Sequence, residues 1–128
     1  ISQLIKADLP FTAIPGPTAF VTAAILSGQP SDHLLYLGFL PKKPSQVAQI
    51  FTKLKDITSK HIHPTVVFYE SPHRINKTLE SLAEILPDAD ISICRELTKK
   101  FEEIVRGNPS ELKDREYKGE LSVVVSSF

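Results

Sequence analysis

Apolar positions along the chain repeat with two periods, and the two periods alternate. Phe20, Ala23, Ala24 and Ile25 recur at helical spacing after Thr18, which predicts a helix capped by Thr18 and closed by Gly28. Val47, Ile50, Phe51 and Leu54 share one face of a second predicted helix over Gln46 to Ile57, with Ser45 as its cap. Ile75, Leu79, Leu82, Ile85 and Leu86 form the stripe of a third, opened by Ser71 as N-cap and Pro72 at its first position. The spacing of Leu4, Ile5 and Leu9 suits the tail of a helix, and Pro109 to Arg115 a brief one. Between them lie short apolar or β-branched runs. Leu34 to Leu40, ended by Pro41, predicts a buried strand, and Thr65 to Tyr69 predicts another. Ala89 to Arg95, Glu102 to Arg106 and Gly119 to Ser126 complete a set of five.

This alternation predicts an α/β domain: a mixed, about five-stranded sheet with helices packed on it. Loops are short, and no repeat or low-complexity stretch interrupts the pattern. The chain holds no Met and opens Ile1-Ser2-Gln3-Leu4, so it reads as the later part of a longer protein. On that reading residues 1–14 are the tail of a preceding domain and a linker. Residues 15–128 are then the folded unit, entered through the rigid Pro15-Gly16-Pro17 turn.

With 128 residues, 41% hydrophobic and 23% charged, the composition is that of an ordinary globular domain. No run of about 18 apolar residues exists, so no membrane span is expected. Fifteen basic residues balance fifteen acidic ones, so any nucleic-acid contact must come from a local patch. The single Cys94 has no disulfide partner within the chain, which fits a reducing cytoplasm; inside an apolar run it reads as core.

Candidate chemistry gathers at strand ends, where open α/β sheets bind ligands. Three segments follow strands directly: Pro41-Lys42-Lys43, Tyr69-Glu70-Ser71-Pro72-His73-Arg74 and Arg95-Glu96-Leu97-Thr98-Lys99-Lys100. Glu70 and Glu96 are candidate catalytic bases, or else salt-bridge partners of Arg74 and Arg95. His73 either meets substrate or only shapes a helix start. Lys42, Lys43, Arg74, Arg95, Lys99, Lys100 and Arg106 form one basic rim if the strand ends converge, and a dispersed solvated set if they do not. No glycine-rich phosphate loop is present, and Ser71 lacks the glycine-flanked elbow of a nucleophilic serine. His61-Ile62-His63 has no further ligand at metal-binding spacing, so no metal is expected.

The strings IPGPTAFVTAAILSG, LYLGFLPKK, VVFYESPHR, CRELTKKFEEIVRG and KGELSVVV, in this order, resemble the C-terminal domain of the ribosomal small-subunit RNA 2′-O-methyltransferase I family, of the tetrapyrrole methylase fold. The likeness runs from about Pro15 to Val125. It implies a two-domain, homodimeric enzyme that uses S-adenosylmethionine to methylate a cytidine ribose of small-subunit ribosomal RNA. This chain would then be inactive alone, because a Ser-Asp-Ala-Gly-Thr-Pro segment of the family's other domain is absent from it. Carried over by position, the resemblance assigns cofactor contacts to Pro15, Gly16, Pro17, Thr18, Tyr69, Glu70, Ser71, Leu97, Thr98, Gly119 and Glu120. RNA contacts fall to Lys42, Lys43, His73, Arg74, Arg95, Lys99 and Arg106. Two other readings stay open. One is a corrin or porphyrin C-methyltransferase of the same fold, against which FYESPHR and RELTKKFEE speak. The other is a non-catalytic dimerisation and substrate-docking module, with apolar surface near Leu4, Ile5 and Phe11 facing a partner.

Overall fold

The computed structural model describes residues 1–58 and 63–127. The elements run α1 (Ser2–Lys6), α2 (Ala19–Ser27), β1 (Leu34–Phe39), α3 (Pro44–Ile57), β2 (Thr65–Glu70), α4 (Ile75–Ile85), β3 (Asp90–Arg95), β4 (Glu103–Gly107), α5 (Pro109–Leu112) and β5 (Leu121–Ser126). The five strands form one sheet in the order β1-β2-β5-β3-β4. β1 and β2 are parallel; β5 runs antiparallel to both β2 and β3, and β4 antiparallel to β3. The expected mixed α/β sheet is therefore present.

The β2–α4–β3 crossover leaves a gap that β5 fills. In consequence the start of β5 lies between the ends of β2 and β3, with Glu70, Leu121 and Arg95 side by side across three strands.

The two sheet faces are covered unequally. Val66, Phe68, Ile91, Ile93, Val123 and Val125 meet Phe51 of α3, Ile75, Leu79 and Leu82 of α4 and Leu112 of α5 in the main core. Phe68 is fully buried and meets the ring of Phe51 edge-on at 5.9 Å between centroids. Loss of a side chain of this size from a close-packed core costs about 3–5 kcal/mol. On the other face, among the described residues, only α2 packs, setting Ala23 and Ala24 against Val67, Cys94 and Val124. Small residues there let the helix approach closely.

Several helix starts differ from expectation. Thr18 stands at the N-cap of α2, but its side chain caps nothing; its carbonyl accepts from both the backbone N–H and the hydroxyl of Thr22. Gly28 ends that helix in the left-handed region, as foreseen. α3 begins at Pro44 with Lys43 as N-cap, because a proline at the first helical position gives up no hydrogen bond; Ser45 is already inside. Ser71 and Pro72 open a turn ahead of α4, in which the Ser71 carbonyl accepts from Arg74 and Ile75, and the helix itself starts after Arg74. α5 carries a full capping box, between Asn108 and Glu111. β1 is an edge strand rather than a buried one, with Leu34 and Tyr36 partly open to solvent. Residues 1–17 are exposed throughout. Among the described residues no helix is long and apolar enough to cross a membrane.

Candidate functional site

The ends of β1, β2 and β3 and the start of β5 share one edge of the sheet, and a cleft of about 440 Å³ opens there. Phe39, Tyr69, Pro72 and Leu121 supply its apolar walls, and Ser71, Gly119, Glu120 and Ser122 its polar edges, with Ala19 at the start of α2. A concave, mainly apolar site with a few polar groups is how proteins hold small organic ligands.

The aromatic wall is built by the pleat and one irregularity. Tyr36 and Tyr69 lie on the α2 face, where Phe20 stacks on Tyr36 at 4.3 Å and Tyr36 meets Tyr69 edge-on at 5.4 Å. Simple alternation would send Phe39 to the opposite face with Leu35 and Leu37. A bulge between Tyr36 and Phe39, with Gly38 at φ +65°, adds a residue and turns Phe39 back towards Tyr69, 5.5 Å away. Leu40 then drops into the main core.

Of the expected cofactor residues, Tyr69, Glu70, Ser71, Gly119 and Glu120 line this cleft. Pro15, Gly16, Pro17 and Thr18 stand outside it, although their turn delivers Ala19 to its rim. Leu97 packs against the α2 core and Thr98 sits at φ +65° in the following turn, so neither lines the cleft. Sequence reasoning did not pick out Phe39, Leu121 and Ser122, and named Pro72 only as part of the Tyr69–Arg74 segment. For Phe39 a signal existed: a glycine within a strand run marks a bulge.

The two candidate bases are otherwise employed. Glu70 is buried, and its carboxylate points to the α4 face. There it accepts from the Ser71 backbone N–H (2.7 Å) and the Thr78 hydroxyl (2.9 Å), and it pairs with Arg74 (2.5 Å). Three donors thus tie it to the Ser71 turn and to α4. Glu96, at φ +49°, accepts from the backbone N–H of Glu120 (2.8 Å) and from Lys99 (3.2 Å). The Glu120 N–H first, and Lys99 second, hold its carboxyl below the usual carboxylate range, which weakens it as a base. Both carboxylates brace the walls of the cleft through these bonds.

Lys99 bridges Glu96 and Glu120, and those two acceptors, Glu120 foremost, raise its pKa. Gly119 fits only as glycine: at φ +78°, a Cβ there would stand 2.6 Å from the Glu96 side chain. Cys94 is buried, and desolvation pushes its thiol up to about 11, so it is no nucleophile.

The expected basic rim divides. Lys42, Lys43, His73 and Arg74 sit on the β1–β2 flank, where Arg74 donates to the carbonyls of Leu40 and Pro41 (both 3.4 Å). On the β3–β4 flank, Arg95 pairs with Glu103 and Lys99 with Glu96 and Glu120. Arg106 joins neither group. It points to the far end of α2, donating to the carbonyls of Leu26 and Ser27, where a cation suits a helix C-terminus. Among the described residues no three His, Cys, Asp or Glu side chains gather to hold a metal; His61 lies outside those residues.

Comparison with known proteins places this geometry. A protein named ribosomal RNA small subunit methyltransferase I from Halalkalibacterium halodurans is 39% identical over 129 residues, covering 98% of this chain and 43% of its own length. One of the same name from a Hydrogenobaculum species is 40% identical, covering 98% of this chain and 54% of its own. The chain thus spans about half the length of the curated relatives it matches. Among solved structures, the methyltransferase CobJ superimposes with a TM-score of 0.66 at 19% identity, over 97% of this chain and 54% of its own. A uroporphyrin-III-C-methyltransferase from Thermus thermophilus does so with a TM-score of 0.58 at 20% identity, over 94% of this chain and 53% of its own. The profile of the Tetrapyrrole (Corrin/Porphyrin) Methylases matches residues 1–113. With that match and relatives alike over nearly its whole length, the chain belongs to the tetrapyrrole (corrin/porphyrin) methylase family.

Proposed function

We propose that this chain is the C-terminal half of an S-adenosylmethionine-dependent methyltransferase that 2′-O-methylates a cytidine ribose of small-subunit ribosomal RNA, and that it is inactive without the other half. One observation carries the reading. In a chain 39–40% identical to proteins bearing that name, the segments Tyr69–Ser71 and Gly119–Glu120 form one cleft at the sheet edge. A structure of a uroporphyrin-III C-methyltransferase of this fold was solved with S-adenosyl homocysteine, which supports the choice of cofactor.

The residues present suit that cofactor. Phe39, Tyr69, Pro72 and Leu121 offer apolar surface to a flat base, and the Ser71 and Ser122 hydroxyls and the Gly119–Glu120 backbone offer polar contacts to a ribose. S-adenosylmethionine, when bound, supplies an electrophilic sulfonium methyl. The protein's part is then chiefly to hold cofactor and hydroxyl in line and to exclude water. Glu70 and Glu96 act on the shape of the cleft, and a proton acceptor would come from outside this chain.

The test is methyl transfer from isotopically labelled S-adenosylmethionine to unmethylated small ribosomal subunits. The 128-residue chain is compared with a version extended at its N-terminus to the length of its relatives. The extended protein labels the RNA, nuclease digestion releases 2′-O-methylcytidine, and the short chain transfers nothing. A label on a base, or on a porphyrinogen in place of RNA, would sink the proposal, and activity of the short chain would remove its second clause.

A further inference from the structure

We infer that the phosphate backbone of the RNA is held on one flank of the cleft only, along a shallow groove between the 41–44 segment and the start of α4, by Lys42 and Lys77 on its walls and Lys43 beside it. This rests on the RNA-methyltransferase reading above and adds to it a track for the substrate, including a residue, Lys77, that its sequence surroundings do not single out.

The groove lies next to the proposed cofactor cleft; Glu70 lines both. Its walls include Pro41, Lys42, Pro44, Arg74, Lys77 and Ser81. Arg74 pins the two segments together: it donates to the carbonyls of Leu40 and Pro41 and pairs with Glu70, which is the one acid lining the groove and is 3% exposed. That pair neutralises the buried carboxylate from within. Lys42, Lys43, Lys77 and His73 are at the surface, and among the described residues none of the three lysines is in an ion pair.

The opposite flank is different in kind. Arg95, Lys99 and Lys118 are each paired with an acid, and Glu96, Glu102, Glu103, Glu116 and Glu120 crowd the same side. Five carboxylates against four cations, Lys100 included, present no net attraction for phosphate. The field therefore steers a polyanion to the β1–β2 side, although the chain as a whole is neutral. The prolines at 41, 44 and 72 fix the backbone on both sides of the groove, so the lysines are displayed from rigid segments.

The experiment is fluorescence anisotropy of a labelled single-stranded oligoribonucleotide of about a dozen residues against the 128-residue chain, over a range of salt. Four proteins are compared: the wild type, Lys42→Gln/Lys43→Gln/Lys77→Gln, the same three positions changed to Arg, and Lys100→Gln/Lys118→Gln. The triple variant is expected to bind about tenfold or more weakly at low salt, with the slope of log K against log salt smaller by about two, since each single-strand phosphate contact is worth roughly 0.7. The double variant is expected to match the wild type, and lysine-to-arginine replacement at the three groove positions to restore binding. Equal losses in the two variants, or an unchanged slope in the triple, would overturn the groove while leaving the RNA reading intact. If the wild type binds no RNA at low salt, the groove is overturned, while the RNA reading is decided by methyl transfer with the extended protein. Displacement by poly-glutamate as effective as by unlabelled RNA would reassign the groove to an acidic protein segment and overturn the inference.

Discussion

Gly119 and Glu96 show how one side chain shapes the cleft. Glu96 and Thr98 both occupy the left-handed region, at φ +49° and +65°, which costs a side-chain-bearing residue about 1–2 kcal/mol. The turn persists because its groups are tied: Glu96 N–H donates to Glu120 O (3.0 Å), Glu120 N–H to the Glu96 carboxylate, and Thr98 N–H to Glu102 (2.6 Å). Gly119→Ala would strain φ and drive a methyl into Glu96. We expect a loss of about 2 kcal/mol or more in denaturant unfolding, together with weaker binding of S-adenosylhomocysteine by calorimetry. A variant as stable and as tight as wild type would refute the brace. The pH dependence follows from the same ties. The pKa of Glu96 is lowered on folding, so its stabilisation is complete above its unfolded value of about 4.3 and fades as pH falls through the folded one. That of Lys99 is raised, so its share holds below about 10.4 and fades at higher pH. The melting-temperature gap between wild type and Glu96→Gln should be widest near neutrality and close below about pH 4; a gap independent of pH would contradict the assignment. Cys94 was legible from sequence as a core residue. The role of Glu96 was not, because it depends on Arg95 lying opposite Leu121, a pairing between distant segments.

Among the elements, amphipathic stripes located α3 and α4 to within a few residues, Thr18 and Gly28 bounded the wholly apolar α2, and the β-branched runs located β2, β3 and β5. What local pattern did not convey was order. That β5 returns between β2 and β3 is decided by which strand fills the gap under the β2–α4–β3 crossover, and the cleft exists because of it. The bulge in β1 is an intermediate case. A methyl group on Gly38 would meet open space, so only the φ of +65° resists substitution there. Gly38→Ala should therefore cost about 1 kcal/mol through backbone strain alone. If the strand responds by losing the bulge, Phe39 leaves the cleft, and cofactor affinity falls by more than stability does. Equal stability and affinity in the variant would show that the bulge does not aim Phe39.

At the scale of the molecule, the unequal faces of the sheet have a consequence. Among the described residues three helices cover one face and α2 alone the other, and several large apolar side chains remain in water: Ile25 is 71% exposed, Phe39 70% and Ile14 91%. Scattered apolar residues are ordinary on a surface, so whether these act together as an association surface is a matter for measurement. The dimerisation-and-docking reading of the sequence placed this surface at Leu4, Ile5 and Phe11, and those residues are exposed too. Ile25 lies on the outer side of α2, away from Ala23 and Ala24, which face the sheet; its removal takes nothing from the core. Sedimentation velocity of the 128-residue chain over about a hundredfold range of concentration should show association that grows with concentration. Ile25→Lys should shift it towards monomer, while the melting temperature of the dilute protein stays within about 2 °C, as for a surface change. A chain that is monomeric throughout would remove the docking reading of this face. Association untouched by Ile25→Lys would move the contact to the exposed N-terminal residues, and Ile14→Ser, on the other side of the Pro15–Pro17 turn, would then be the variant that disperses it.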